Sequence, residues 1–411
     1  MMVKRVIQFI GREIKGLHEA AYLLALFAFL SQILALVRDR LLASQFGAGE
    51  LLDVYYAAFR IPDFIFVIIS ALVSISVLIP FLVKFIEKDK VHIKEFVNSI
   101  FSGLVILILI LTAFALVFAD DVLRKLFPEI INGQYGNDLI AITYIMLLQP
   151  ILLALSSLFS SFIQVYKKFF IYALSPILYN VGIIIGITFF YPIYGLKGLA
   201  WGVVLGALFH FIIQVPSVVN KGIFPKFTFK INYHYLKSVL TLSLPRTLAL
   251  TGNQISLIIL VALAGTMIAG SISVFTFSFN LQSVPLAIIG VSYSLAAFPT
   301  LSRLYANGDI ENFLNHIVKA ARHIIFWSIP VMVMFVVLRA QIVRSVLGVG
   351  EFSWEDTRLT AAALALFAIS VVAQSLILLF VRGYYSAGET KKPLIFTATS
   401  LALTIFSAYF L

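Results

Sequence analysis

The sequence predicts an all-α polytopic membrane protein, and two observations support that prediction. Hydrophobic residues make up 61% of the 411 residues and charged residues only 12%, whereas a soluble domain has about 45–50% apolar residues. Apolar runs of roughly 18–25 residues recur along the whole chain, and each can cross a bilayer as a helix. A β-barrel would instead show weakly alternating segments of about ten residues.

Glycine, proline and charged residues divide the chain into eleven predicted membrane-spanning helices. Before the first of them, a basic amphipathic helix over residues 1–19 is expected to lie on the cytoplasmic surface. The spans are expected near residues 20–44, 55–85, 95–119, 137–166, 170–190, 195–216, 238–264, 272–302, 318–340, 358–386 and 393–411.

Basic residues are distributed asymmetrically between the predicted loops. With a cytoplasmic amino terminus, nineteen Lys and Arg residues fall in inside segments and six in outside segments, which is the positive-inside pattern. This distribution accounts for the net charge of +11 without nucleic acid as a partner. The basic residues are expected to face the anionic membrane lipids of the inner leaflet.

Residue types that support catalysis or metal binding are scarce. The chain has no cysteine and six scattered histidines, so thiolate chemistry is excluded and no histidine metal motif is present. Neither a nucleotide-binding loop nor a nucleophile motif occurs. The sequence therefore predicts neither an enzyme nor a bound metal or cofactor. Any energy input is expected from an ion or potential gradient, and Na⁺ and H⁺ are the candidate coupling ions.

An internal repeat at an offset of about 222 residues divides the chain into two similar halves. Gln32 aligns with Gln254, and a glycine-bearing turn follows in both places. We predict an N-lobe over residues 20–216, a cytoplasmic linker over 217–236 and a C-lobe over 237–411. The C-lobe contains only five predicted spans, so we expect it to lack a counterpart of the sixth helix.

Charged side chains inside predicted spans need an explanation, because each costs roughly 2.5–3.5 kcal/mol on insertion scales. Arg38 either lines a cavity or forms, with Asp39, a structural lock to other helices. Arg60, seven residues after Asp53, either lines the same cavity or serves helix packing or an interfacial position. Arg246 either meets a substrate at the cytoplasmic mouth or reaches towards lipid phosphates.

Further polar residues complete the candidate set. Gln254 and Asn280 either face these charges from the second half or form interhelical hydrogen bonds. Asp63, after Pro62, is expected to cap the helix that follows. Intramembrane carboxylates can bind a coupling ion, and Asp39 and Asp53 are the candidates.

The run VRDRLLASQFGAGELLDVYYAAFRIPDF resembles the signature of the MurJ/MviN family of lipid II flippases, part of the multidrug/oligosaccharidyl-lipid/polysaccharide exporter superfamily. Similar stretches follow in the same order: SPILYN, LPRTLALTGNQISLI, VPLAIIGVSYSLAAFPTLSR and GYYSAGETKKP. The resemblance implies two pseudo-symmetric lobes around a central cationic cavity. It also implies alternating-access translocation of lipid II, the undecaprenyl-pyrophosphate-linked peptidoglycan precursor, across the bacterial cytoplasmic (inner) membrane. The predicted substrate-binding set is Arg38, Asp39, Asp53, Arg60, Arg246, Gln32, Gln254 and Asn280.

The chain departs from the family pattern where further arginines are expected. Gln32, Phe66, Val67 and Asn280 occupy those positions, and the longer members have additional carboxy-terminal helices. Two alternatives therefore stay open: an ion-coupled exporter of another polyprenyl-linked glycan or of an organic cation, and a non-transporting membrane scaffold of the same fold. We expect a monomer in each case.

Overall fold

The computed structural model describes residues 17–73, 78, 81–82, 90–219 and 224–410. These residues are almost entirely helical and include no strand, and ten helices among them are long and apolar enough to cross a membrane. The all-α polytopic fold class is therefore confirmed. The predicted eleventh span forms a helix, Lys391–Phe410, that is not among those ten. Most of the predicted surface helix, residues 1–16, lies outside the described residues.

Eighteen α-helices and two π-helical turns make up the described residues. In chain order the α-helices are α1 (Leu17–Phe46), α2 (Glu50–Ala58), α3 (Arg60–Leu72), α4 (Lys90–Leu126), α5 (Pro128–Asn132), α6 (Gly136–Met146), α7 (Leu148–Val165), α8 (Phe169–Ile185), α9 (Tyr191–Tyr194), α10 (Leu196–Ile212), α11 (Val215–Val219), α12 (Tyr233–Ala264), α13 (Ser271–Pro285), α14 (Ser292–Ala306), α15 (Ile310–Val337), α16 (Arg339–Leu347), α17 (Trp354–Ser386) and α18 (Lys391–Phe410).

The chain forms two compact units. The first comprises Met1–Arg38 and Ala57–Ile258, and the second comprises Asp39–Tyr56 and Ile259–Leu411. The end of α1 and most of α2 therefore belong with the later part of the chain. The predicted lobes follow the sequence repeat instead, and they stay a prediction.

In the first unit the core lies between α3, α4 and α7. Ile69, Phe96, Ile100, Phe159 and Phe162 are buried together there. These residues recur every three or four positions along their helices, so each helix presents one apolar stripe to its neighbours. Exposed aliphatic and aromatic side chains on the outer faces are expected to contact lipid.

Glycines let α8 and α10 pack with their backbones in contact. Gly182 on α8 and Gly186, which begins the π-helical turn after α8, face Gly206 and Gly202 on α10. A Cβ added to Gly186 would lie 2.5 Å from the Cα of Gly202, so no larger residue fits without separating the helices. This small-xxx-small pattern is typical of membrane helix pairs. It fixes the position of α8.

In the second unit α17 is the central helix and packs against α13, α14, α15 and α16. It begins with a capping box in which Ser353 and Asp356 satisfy each other's backbone N–H groups. Leu301, Ile324 and Leu379 are buried between α14, α15 and α17.

Candidate functional site

Arg38 is held within the first unit by Asn180 of α8. Its Nη1 donates to Asn180 Oδ1 at 3.2 Å. Asn180 is 6% exposed, and its Nδ2 donates to Pro176 O at 3.1 Å and to Ser31 Oγ at 3.5 Å. Both amide protons are thus directed to other oxygens, and the carbonyl oxygen faces the arginine. An amide partner orients the guanidinium without neutralising its charge.

Asp39, the next residue, belongs to the second unit and accepts a hydrogen bond from α13. Asn280 Nδ2 donates to Asp39 Oδ2 at 2.9 Å, and Asp39 is only 2% exposed. Asn280 thus makes the interhelical hydrogen bond that was one of its two predicted roles. A substrate contact by either residue stays a prediction.

Asp53 caps the amino terminus of α13. Its carboxylate accepts from the backbone N–H of Gly270 at 2.7 Å, from that of Ser273 at 2.7 Å and from the Ser273 hydroxyl at 2.6 Å. The side chain is 4% exposed, and the free N–H groups and the dipole of the helix end favour a negative charge. The structure therefore gives Asp53 a capping contact, and its predicted role with a coupling ion stays untested.

The turn before α13 depends on Gly270. Its φ is +94°, and an added Cβ would collide with the carbonyl oxygen of Ala48. Only glycine adopts this backbone conformation without strain. The predicted glycine turn thus serves to bring a backbone N–H against Asp53.

Arg60, Asp63 and Gln149 form a second polar cluster of the first unit. Arg60 is 7% exposed and precedes Asp63 by three positions on α3, which is about one helical turn. Gln149 Nε2, from α7, donates to Asp63 Oδ1 at 3.3 Å. The prediction that Asp63 caps a helix is wrong, because α3 already begins at Arg60 and no side chain caps it.

Three predicted site residues remain. Gln32 is half-buried on α1, next to Ser31. Arg246 and Gln254 are half-buried on α12, and Arg246 follows Pro245 inside that helix. Arg38 lies on α1, whereas Arg246 and Gln254 lie on α12.

Arg40 and Arg382 bind polar groups of the second unit. Arg40 Nη1 donates to Ser345 O at 2.7 Å and to Val346 O at 2.9 Å, which satisfies carbonyls at the end of α16. Arg382 Nε donates to Ser294 Oγ at 3.1 Å. Both contacts join helices, so these two charges have structural partners.

Sequence reasoning missed the roles of two amides. Asn180 stood out only as part of the SPILYN stretch, and its contact with Arg38 spans 142 positions. Gln149 gave no signal, because a single glutamine in an apolar span is unremarkable. Among the described residues, no group of His, Cys, Asp and Glu could hold a metal ion.

A family model described as lipid II flippase MurJ matches residues 42–411. The probable lipid II flippase MurJ of Buchnera aphidicola subsp. Schizaphis graminum is 30% identical over 389 residues, which cover 92% of this chain and 74% of the relative. The lipid II flippase MurJ of Burkholderia cenocepacia is 25% identical over 395 residues, which cover 93% and 76%.

Solved structures of two transport proteins are also similar to this chain. Lipid II flippase MurJ in an inward closed conformation matches with a TM-score of 0.78 and 25% identity, over 92% of this chain and 78% of that one. An inward-facing multidrug resistance MATE family transporter of the MOP superfamily matches with a TM-score of 0.72 and 18% identity, over 89% and 83%. The second likeness shows a shared fold.

Proposed function

Because the chain belongs to the lipid II flippase MurJ family, we propose that it translocates lipid II across the bacterial cytoplasmic membrane by alternating access. The family match over residues 42–411 carries this proposal. Lipid II consists of a polyprenyl chain, a pyrophosphate and a glycopeptide, so the protein must hold an anion at membrane depth. The family is one of transporters, and the chain is not expected to catalyse a reaction.

Arg38 is the proposed contact for the pyrophosphate. Its guanidinium is a permanent cation that can bind two phosphate oxygens at once. Asn180 orients it through a neutral hydrogen bond of 3.2 Å, so the orientation does not cost the charge that the anion needs. Ser31 and Pro176 in turn fix Asn180.

The proposal also covers the orientation of the chain in the membrane, its partners and its energy source. The excess of basic residues in the inside loops supports a cytoplasmic amino terminus in the inner membrane. The proposed partners are lipid II and the surrounding membrane lipids, and we propose a monomer. A gradient of H⁺ or Na⁺ is the proposed source of energy.

Complementation tests this function directly. The chain is expressed in bacteria depleted of their own flippase, and the outward exposure of lipid II is measured. We expect rescue by the wild type, its loss in Arg38→Ala, and its retention in the control Arg124→Ala, which removes an exposed arginine of α4. Gln32→Arg, which restores a cation expected from the family, should preserve or increase exposure.

The outcomes separate the proposal from its alternatives. A wild-type chain that inserts correctly but exposes no lipid II would rule the function out and leave a membrane scaffold. Equal rescue by Arg38→Ala and Arg124→Ala would remove Arg38 from the site.

One structural observation favours a second candidate, an exporter of another polyprenyl-linked glycan. Asn280, at a position where the family has an arginine, donates to Asp39 at 2.9 Å, so fewer fixed cations are available for the headgroup. Export of a differently linked glycan by a chain that fails to expose lipid II would support this candidate.

A further inference from the structure

The aspartates within the membrane helices differ in how well they are satisfied. Asp53 accepts three hydrogen bonds of 2.6–2.7 Å from the first turn of α13. Asp63 accepts one longer hydrogen bond, 3.3 Å from Gln149 Nε2, within the described part of the chain. A carboxylate with few donors is the one that can change its protonation state at little cost in hydrogen bonds.

Gln149 has an unused acceptor beside Asp63. The side chain is 3% exposed, and its Oε1 has no hydrogen-bond partner among the described residues. A buried acceptor without a donor is uncommon, and Gln149 Oε1 is therefore able to accept a hydrogen bond from a further donor. If the amide rotates by half a turn, Oε1 faces Asp63. In that orientation it can accept a hydrogen bond from a protonated carboxyl group, whereas an ionised carboxylate would repel it.

The two amide orientations are balanced. With Asp63 ionised, Nε2 donates to it and Oε1 has no partner. With Asp63 protonated and the amide rotated, the carboxyl O–H donates to Oε1 and Nε2 has no partner. Because each state makes one hydrogen bond and leaves one amide group unsatisfied, the site does not force either state.

We propose that Asp63 and Gln149 form a proton-binding site of the first unit that is controlled by Arg60. The proton adds to a carboxylate oxygen of Asp63 and is donated to Gln149 Oε1. When an anion takes over the guanidinium of Arg60, Asp63 loses the positive charge that stabilises its ionised form, and it takes up one proton. This link to an anionic substrate rests on the proposed function.

Within the described part of the chain, Arg60 is the only other charged residue of α3. Helix α3 packs against α4, α6 and α7. No titratable side chain occurs on α7, and α6 contributes Asp138 and Tyr144. The charged residues of α4 lie near its two ends, in residues 90–95 and 120–125, whereas Arg60 is one helical turn from Asp63.

Infrared spectroscopy of the full chain in lipid nanodiscs tests the site without transport. We expect a carboxylic-acid C=O band, titrating with pH, that is absent in Asp63→Asn and retained in the control Asp121→Asn, an exposed aspartate of α4. In Arg60→Gln the band should persist to higher pH, because the cation that favours ionisation is gone. A band unchanged in Asp63→Asn, or unaffected by Arg60→Gln, would overturn the proposal.

A further variant guards against misfolding of Asp63→Asn. Gln149→Leu keeps the side-chain size and removes the acceptor, so the C=O band should remain but move to the higher frequency of an acid without a hydrogen-bond partner. An identical frequency in Gln149→Leu and the wild type would exclude Gln149 as the acceptor.

The link to the substrate is tested with inorganic pyrophosphate as the probe. A pH indicator in weakly buffered solution should report uptake of up to one proton per wild-type chain and none in Asp63→Asn. No uptake by the wild type, or equal uptake by both, would overturn the link. A normal infrared titration in a chain that fails complementation would reject lipid II transport while leaving the proton site in place.

Discussion

The capping of α13 by Asp53 predicts a large loss of stability when its charge is removed. Asp53→Asn keeps the shape of the side chain but neutralises the acceptor of three hydrogen bonds. A hydrogen bond to a charged acceptor contributes about 1.5–3 kcal/mol and a neutral one about 0.5–1.5 kcal/mol. The substitution therefore costs about 1 kcal/mol for each bond, or about 3 kcal/mol in all. In addition, the new amide N–H₂ must face a backbone N–H.

Thermal unfolding in nanodiscs, followed by tryptophan fluorescence, measures this loss. Trp327 and Trp354 both lie in the second unit, and we expect Asp53→Asn to lower the unfolding midpoint by about 5–10 °C. Glu50→Gln is the matched control, since it neutralises another carboxylate of the first turn of α2. Equal midpoints for Asp53→Asn and the wild type would refute the capping argument and return Asp53 to the candidates for ion binding.

Two further substitutions probe the first unit. Gly202→Leu should prevent folding or greatly reduce the amount of inserted protein, because its Cβ would meet the backbone of Gly186 at 2.4 Å; normal yield and an unchanged unfolding midpoint would contradict the close packing of α8 and α10. Asn180→Leu should reduce lipid II exposure at equal expression, because it removes the acceptor that orients Arg38. Exposure equal to that of the wild type would show that Arg38 does not need this partner.

The fold class could be predicted from the sequence because the length of each apolar run is a local property. Each apolar run predicts one helix, and the predicted spans 137–166 and 358–386 correspond closely to Gly136–Val165 and Trp354–Ser386. The assignment of Asp39–Tyr56 to the second unit could not be predicted in this way. It depends on contacts such as Asp53 with Ser273, which are 220 positions apart.

Only the charged residues of the candidate site could be predicted from the sequence. A charge in an apolar span is conspicuous, so Arg38, Asp39, Asp53 and Arg60 stood out at once. Arg38, Asp39 and Asp53 contact amides, a hydroxyl and backbone N–H groups, which are common in membrane helices and carry no signal before the helices are packed. The same limit explains Asp63, whose position after Pro62 suggested a cap while its actual neighbour, Gln149, lies 86 positions away.

A proton on Asp63 would also offset the shortage of arginines in this chain. With Asp63 ionised, Arg60 and Asp63 together carry no net charge, so the pair attracts an anion weakly. With Asp63 protonated, the same pair carries one positive charge, and the interaction of that charge with an anion is stronger in a low-dielectric membrane interior than in water. Proton uptake would thus leave Arg60 as a net positive charge only while an anion is bound. Gln32 and Asn280 do not provide such a charge. Release of the proton would restore the neutral pair and weaken the hold on the anion, which is the change a transporter needs between binding and release.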